Sequence, residues 1–104
     1  MERIAFKMKL HEGCAAEYKK RHDEIWPELP RFIKDAGVHD YSIFLDEDTN
    51  TLIGVLKADN PALIAEFGKS DLMQRWWRYM SDIMASNPDG STVVMPLKEV
   101  FYLK

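Results

Sequence analysis

Tyr18 and His22 stand four residues apart, one helical turn, so a helix there puts a phenol and an imidazole on the same face. Trp76 and Trp77 are adjacent. Neighbouring positions on a helix point about 100° apart, so one indole can pack in a core while the other lines a surface or cleft. Tyr41 falls in the middle of an alternating, strand-like stretch. An imidazole is the side chain suited to proton transfer near neutral pH. Aromatic plates cover the apolar C–H face of a sugar ring while their polar tips bond its hydroxyls. The group therefore suits a neutral, polyhydroxylated ligand. The same residues also admit plainer readings. Trp76, Tyr79, Met80 and Ile83 form an ordinary amphipathic stripe, Tyr41 shares a strand face with Ile43 and Leu45, and His22 follows three cationic residues on a polar helix.

Other chemistries lack their residues. Of the three histidines, His11, His22 and His39, no two have metal-ligand spacing on a helix, and there is no Cys-x-x-Cys. The five glycines are scattered at turn-like places, with no phosphate-binding loop and no Gly-x-Ser-x-Gly elbow. With 14 basic against 17 acidic residues the chain has no positive excess to neutralise a nucleic-acid backbone. No apolar run is long enough to span a membrane, and the N-terminus has no signal-peptide pattern. The single cysteine, Cys14, makes no internal disulfide, which points to a reducing cytoplasm.

The elements that must position these side chains alternate in period. Residues 3–10 alternate as a half-buried strand, and 12–25 suit a helix carrying Ala15, Tyr18, His22 and Ile25 on one face. Pro27 breaks that helix and opens a second one, ended by Gly37. Residues 38–46 and 51–58 form a hairpin across a polar turn, with Tyr41, Ile43 and Leu45 facing one way. Asn60-Pro61 starts a helix to about Lys69, and Asp71 caps another over 72–85. Asn87-Pro88-Asp89-Gly90 is a turn, and 98–103 read as the last strand. A chain of 104 residues forms one domain, here of order β-α-β-β-α-β. That order is the α+β, ferredoxin-like arrangement, a four-stranded antiparallel sheet with helices on one face. Apolar residues on both strand faces leave the other face needing a cover, and a second copy packed sheet against sheet supplies it, with Ile43 and Leu45 as candidate interface positions.

Longer strings surround the candidate residues: Glu17-Tyr18-Lys19-Lys20-Arg21-His22 running into Ile25-Trp26-Pro27-Glu28-Leu29, then His39-Asp40-Tyr41-Ser42-Ile43-Phe44-Leu45-Asp46, Gln74-Arg75-Trp76-Trp77-Arg78-Tyr79-Met80 and Glu99-Val100-Phe101-Tyr102-Leu103. Together, across the whole chain in one register, they resemble the L-rhamnose mutarotase family. The resemblance implies a ferredoxin-like dimeric α+β barrel that interconverts the α and β anomers of L-rhamnopyranose without a cofactor. It implies that His22 is the proton donor and that Tyr18, Tyr41, Trp76 and Trp77 contact sugar. The turn at 87–92 departs from the family pattern, where a bulkier polar residue than Gly90 and a proline near Thr92 are expected. Two alternatives share the expected fold: a haem-degrading monooxygenase with His22 as axial ligand, and a dimeric module that binds sugar without catalysis.

Overall fold

The structure is a computed structural model describing residues 1–104. Strand β1 (Glu2–Lys9) leads to helices α1 (Ala15–Asp23) and α2 (Glu28–Asp35), then the hairpin of β2 (Val38–Asp46) and β3 (Thr51–Ala58). Helix α3 (Pro61–Ala65), a 3-10 turn (Glu66–Lys69), helix α4 (Asp71–Met80) and a short strand β4 (Met95–Leu97) complete the chain. The four strands pair antiparallel in the order β2-β3-β1-β4, as a ferredoxin-like sheet requires.

Burial alternates residue by residue along β3, with Leu52, Gly54, Leu56 and Ala58 on the buried side. Their neighbours across the sheet, Phe6, Met8, Ile43 and Leu45, pack against the same core as Leu10, Leu29, Met73, Trp76 and Met80. Ile43 and Leu45 thus face the helices rather than the open side, which corrects their expected place at a subunit interface. The open side carries Ala5, Phe44, Ile53, Val55, Met95 and Leu97, with Lys7 opposite both Ile53 and Met95. Phe44 is 61% exposed there. The apolar face expected from the sequence exists, built from the alternate residues of each strand.

A β-bulge decides which way Tyr41 points. The β2–β3 register slips between His39 and Ser42, and Asp40 takes a left-handed backbone with φ 50°. Val38 pairs with Ala58 on the buried side, and strict alternation from there would turn Tyr41 outward. The extra residue restores Tyr41 to the helix side. There its ring meets Phe6 edge-on at 6.1 Å. Phe6 lies in turn across Gly54, where a Cβ would collide with the ring. Gly54→Ala should therefore destabilise the fold by about 1–3 kcal/mol through overpacking, read as a lowered melting temperature.

Two expected boundaries move. The cap of α4 is Ser70, whose hydroxyl accepts from the Met73 amide at 3.3 Å, while Asp71 pairs with Arg75 one turn on. The helix stops at Met80 rather than continuing to residue 85. The Ser81 hydroxyl turns back to donate to the Arg78 carbonyl, and Met84 bridges to Leu10 with the Ala85 amide bonded to the Lys9 carbonyl. Extending the sheet wins over extending the helix, and Ile83 stays buried. The last strand is Met95–Leu97, against Ala5–Lys7, and residues 98–103 lie outside it. That segment is held by side chains instead, Arg3 bonding Glu99 at 3.1 Å and lying over the Tyr102 ring. Val100, Phe101 and Leu103 are exposed. No helix is long and apolar enough to cross a membrane.

Candidate functional site

Helix α1 is polar, and Tyr18 is its only buried residue. The four-residue spacing lays the His22 imidazole against the Tyr18 ring, centroids 4.4 Å apart and planes tilted by 31°. The imidazole also meets Trp76 of α4 edge-on at 5.5 Å. Trp76 is 7% exposed and continues the cluster into Trp26 at 5.1 Å and Tyr79 at 5.7 Å. Trp77, half-buried one residue on, points elsewhere, as the helical offset requires. Tyr18, His22, Tyr41, Trp76 and Trp77 all line one cleft between the sheet and the helices. Tyr18, His22 and Trp76 come together ring to ring, while Tyr41, beside Phe6, and Trp77 border the same cleft without joining that cluster. The cleft measures about 1860 Å³. That exceeds the roughly 300–1,000 Å³ of an ordinary small-molecule pocket, so it is open rather than sealed.

The polar atoms of these side chains are largely unspent. His22 uses Nδ1, 3.0 Å from the Tyr18 carbonyl oxygen, and the carbonyl can only accept, so Nδ1 carries the proton. Burial lowers the His22 pKa from its usual 6.5, opposed by that carbonyl bond and by the charge of Asp23. The neutral ring then leaves Nε2 with a lone pair and no partner in the protein. Burial, with a smaller contribution from Tyr41, raises the Tyr18 pKa, and desolvation by the surrounding protein pushes Tyr41 up to about 12 although the residue as a whole is 40% exposed. Both phenols stay protonated near neutral pH, and neither hydroxyl has a protein partner. No unpartnered side-chain nitrogen or oxygen is sealed in the interior. The Tyr18 hydroxyl, His22 Nε2 and the two indole N–H groups are therefore all within reach of solvent, and their residues line the cleft. The arrangement offers several neutral donors and one base beside aromatic walls. No three His, Cys, Asp or Glu side chains gather into a metal site.

The turn at 87–92 also reaches the cleft through Asp89, Ser91 and Thr92. Ser91 donates to Asp89 from both its amide (2.9 Å) and hydroxyl (2.6 Å), holding that carboxyl below its usual range. Gly90 supplies the left-handed backbone, with φ 90°. Trp26 is the residue that sequence reasoning left without a role. Pro27 marks it as a helix break, and the break is what lets Trp26 leave the helical path and back Trp76. Its presence in the aromatic cluster depends on tertiary contacts with α4, which no local pattern displays.

A family model described as L-rhamnose mutarotase matches residues 3–103. The L-rhamnose mutarotase of Mesorhizobium japonicum is 55% identical over 102 residues, covering 98% of this chain and 97% of that protein. The one from Formosa agariphila is 49% identical over 104 residues, the full length of both. A crystal structure of an L-rhamnose mutarotase from Formosa agariphila superposes with a TM-score of 0.93 at 48% identity, again over all of both chains. Sequence, fold and length agree from end to end, and the chain belongs to the L-rhamnose mutarotase family.

Proposed function

We propose that the protein is an isomerase that interconverts the α and β anomers of L-rhamnopyranose in this cleft, with no cofactor. One observation carries the reading: a buried aromatic cluster ends in unpartnered neutral donors and one imidazole lone pair, all open to the same cleft. In ring opening, His22 Nε2 takes the proton of the anomeric hydroxyl. The electron pair closes the C=O bond, the bond from C1 to the ring oxygen breaks, and the ring oxygen takes a proton from solvent in the open cleft, which recovers it when the ring closes. Rotation of the aldehyde and the reverse steps give the other anomer, with the imidazolium returning its proton. His22 is thus the acceptor in the first half of the cycle and the donor in the second. Tyr18 and Tyr41, held as neutral phenols, hydrogen-bond and orient the sugar, and Trp76 and Trp77 wall the ring and its methyl group.

The lowered pKa of His22 gives the test a sign. The neutral imidazole is the active form, so kcat/KM should be flat across neutrality and fall as pH drops, with its midpoint below 6.5. The raised phenol pKa values predict no matching loss on the alkaline side up to about pH 10. NMR exchange rates between the anomeric signals, measured from about pH 5 to about pH 10, read both limbs. A rate that falls as pH rises through neutrality would contradict the base role. A stoichiometric Soret shift on adding hemin would favour the monooxygenase reading instead.

The open sheet face carries the second part of the proposal, a homodimer in the cytoplasm packed sheet against sheet. Phe44, Met95 and Leu97 stand exposed there around Ala5, Ile53 and Val55, with Lys7 between Ile53 and Met95, and a second copy packed on this face would take these apolar side chains out of water. Phe44→Lys should give monomer or aggregate in light scattering, while the parent runs as a dimer at micromolar concentration. A monomeric parent would refute this.

A further inference from the structure

Helix α1 carries both Tyr18 and His22 and buries little else. It buries only Tyr18, and its N-cap residue, Cys14, makes no side-chain cap bond. A charged side chain of the helix that does not line the cleft ties it to the end of α4. Arg21 is only 10% exposed and spends its guanidinium on three partners. Nε donates to Glu17 Oε2 at 2.7 Å on the same helix. Nη1 donates to the Tyr79 carbonyl at 2.7 Å and to Asp82 Oδ1 at 2.8 Å, and Nη2 donates to Asp82 Oδ2 at 3.1 Å. The guanidinium also lies 4.5 Å from the centre of the Tyr79 ring. The Tyr79 carbonyl is one of the last in α4, left without a helical partner, and a cation there also meets the negative end of the helix. Asp82 sits just past that end, where the following Ile83 carbonyl accepts the His11 amide at 2.8 Å, tying the turn to the end of the sheet.

We infer that Arg21 is a positioning residue, a latch that locks α1 to the C-terminal end of α4 and thereby sets where His22 stands against Trp76 and the sugar. Arg21 is adjacent to His22 and three residues from Tyr18, on a different face of the same helical turn. Trp76 is one turn before the Tyr79 carbonyl that Arg21 holds. The latch therefore spans the two helices that face each other across the 5.5 Å contact between His22 and Trp76. A lysine ammonium cannot make the forked pair to Asp82 together with the bonds to Glu17 and Tyr79.

The inference rests on the proposed role of His22, and a double-mutant cycle separates the two. Arg21→Gln and Arg21→Lys are made in the parent and in His22→Ala, and folding is confirmed by circular dichroism at the assay temperature. Arg21→Gln should lower kcat by about 10- to 100-fold, the cost of misplacing a reacting group by roughly 1 Å, with KM moving less than about threefold. Arg21→Lys should recover only a small part of the loss. In the His22→Ala background, removing Arg21 should cost less than about twofold more, because the group it positions is already gone. A folded Arg21→Gln with the parent's kcat would overturn the latch, as would a change in KM alone or an equal loss in both backgrounds. If His22→Ala alone keeps the parent rate, the role of His22 falls first and the latch falls with it. Should Arg21→Gln not fold, Asp82→Asn removes the forked charge pair without altering α1, and its kcat is read by the same outcomes.

Discussion

His22→Ala should slow the exchange of L-rhamnose anomers by about 10²–10⁴-fold, the share ordinarily carried by one general acid or base. Its fold should hold. The imidazole makes one hydrogen bond, from Nδ1 to a carbonyl of its own helix, and alanine is the better helix former at that position. The neighbouring Tyr18 ring and the Trp76 edge remain to define the cleft, so sugar affinity should change far less than the rate. His39 provides the internal control. It stands at the rim of the same open cleft but faces the outer side of the sheet opposite Lys57, with Nε2 2.9 Å from Asp59, and stacks on no ring of the aromatic cluster. His39→Ala should leave the exchange rate near the parent's.

The two tryptophans should divide in the opposite sense. Trp76 is buried against His22, Trp26 and Tyr79, and Trp76→Ala should cost about 3–5 kcal/mol of stability, the usual range for removing a core aromatic. For a domain of this size that lowers the melting temperature by more than about 10 °C. Trp77 is half-buried, lines the cleft and joins none of the ring contacts that surround Trp76. Trp77→Ala should keep the fold and weaken sugar binding. Because Trp76 also lines the cleft, its loss should affect binding as well, but only through a protein already destabilised. Thermal melts and sugar titrations of the two variants separate these outcomes. Equal loss of stability with unchanged affinity in both would mean that neither residue walls the site.

The residues that carry the site were legible because their signals are local. A four-residue spacing stacks Tyr18 on His22, a one-residue spacing separates Trp76 from Trp77, and alternation puts Tyr41, Ile43 and Leu45 on one common face of the sheet. Asn60 caps α3, its side chain accepting from the Ala62 amide at 3.1 Å, as its place before Pro61 suggests. What was illegible depends on partners far along the chain. The apolar run at 98–103 reads as a strand, but the ladder with β1 stops at Leu97 and the segment is held by side chains instead. The apolar stripe through Ile83 reads as helix, yet the pairing of Met84 with Leu10 bends the chain into the sheet. The face at a subunit interface was assigned to Ile43 and Leu45 because alternation shows that two faces exist and not which one the helices cover. Arg21 looks like one of three solvated cations until Asp82, sixty-one residues on, closes on it.

The catalytic use of the cleft is tested most directly by saturation transfer between the α and β anomeric proton signals of L-rhamnose at neutral pH, with parent protein and with His22→Ala at equal concentration. The account predicts exchange well above the rate in buffer with the parent, and a return most of the way to the buffer rate with the folded variant. Exchange at the buffer rate with a parent that binds the sugar, or a folded His22→Ala within about threefold of the parent, where one general acid–base group should carry 10²–10⁴-fold, would contradict it.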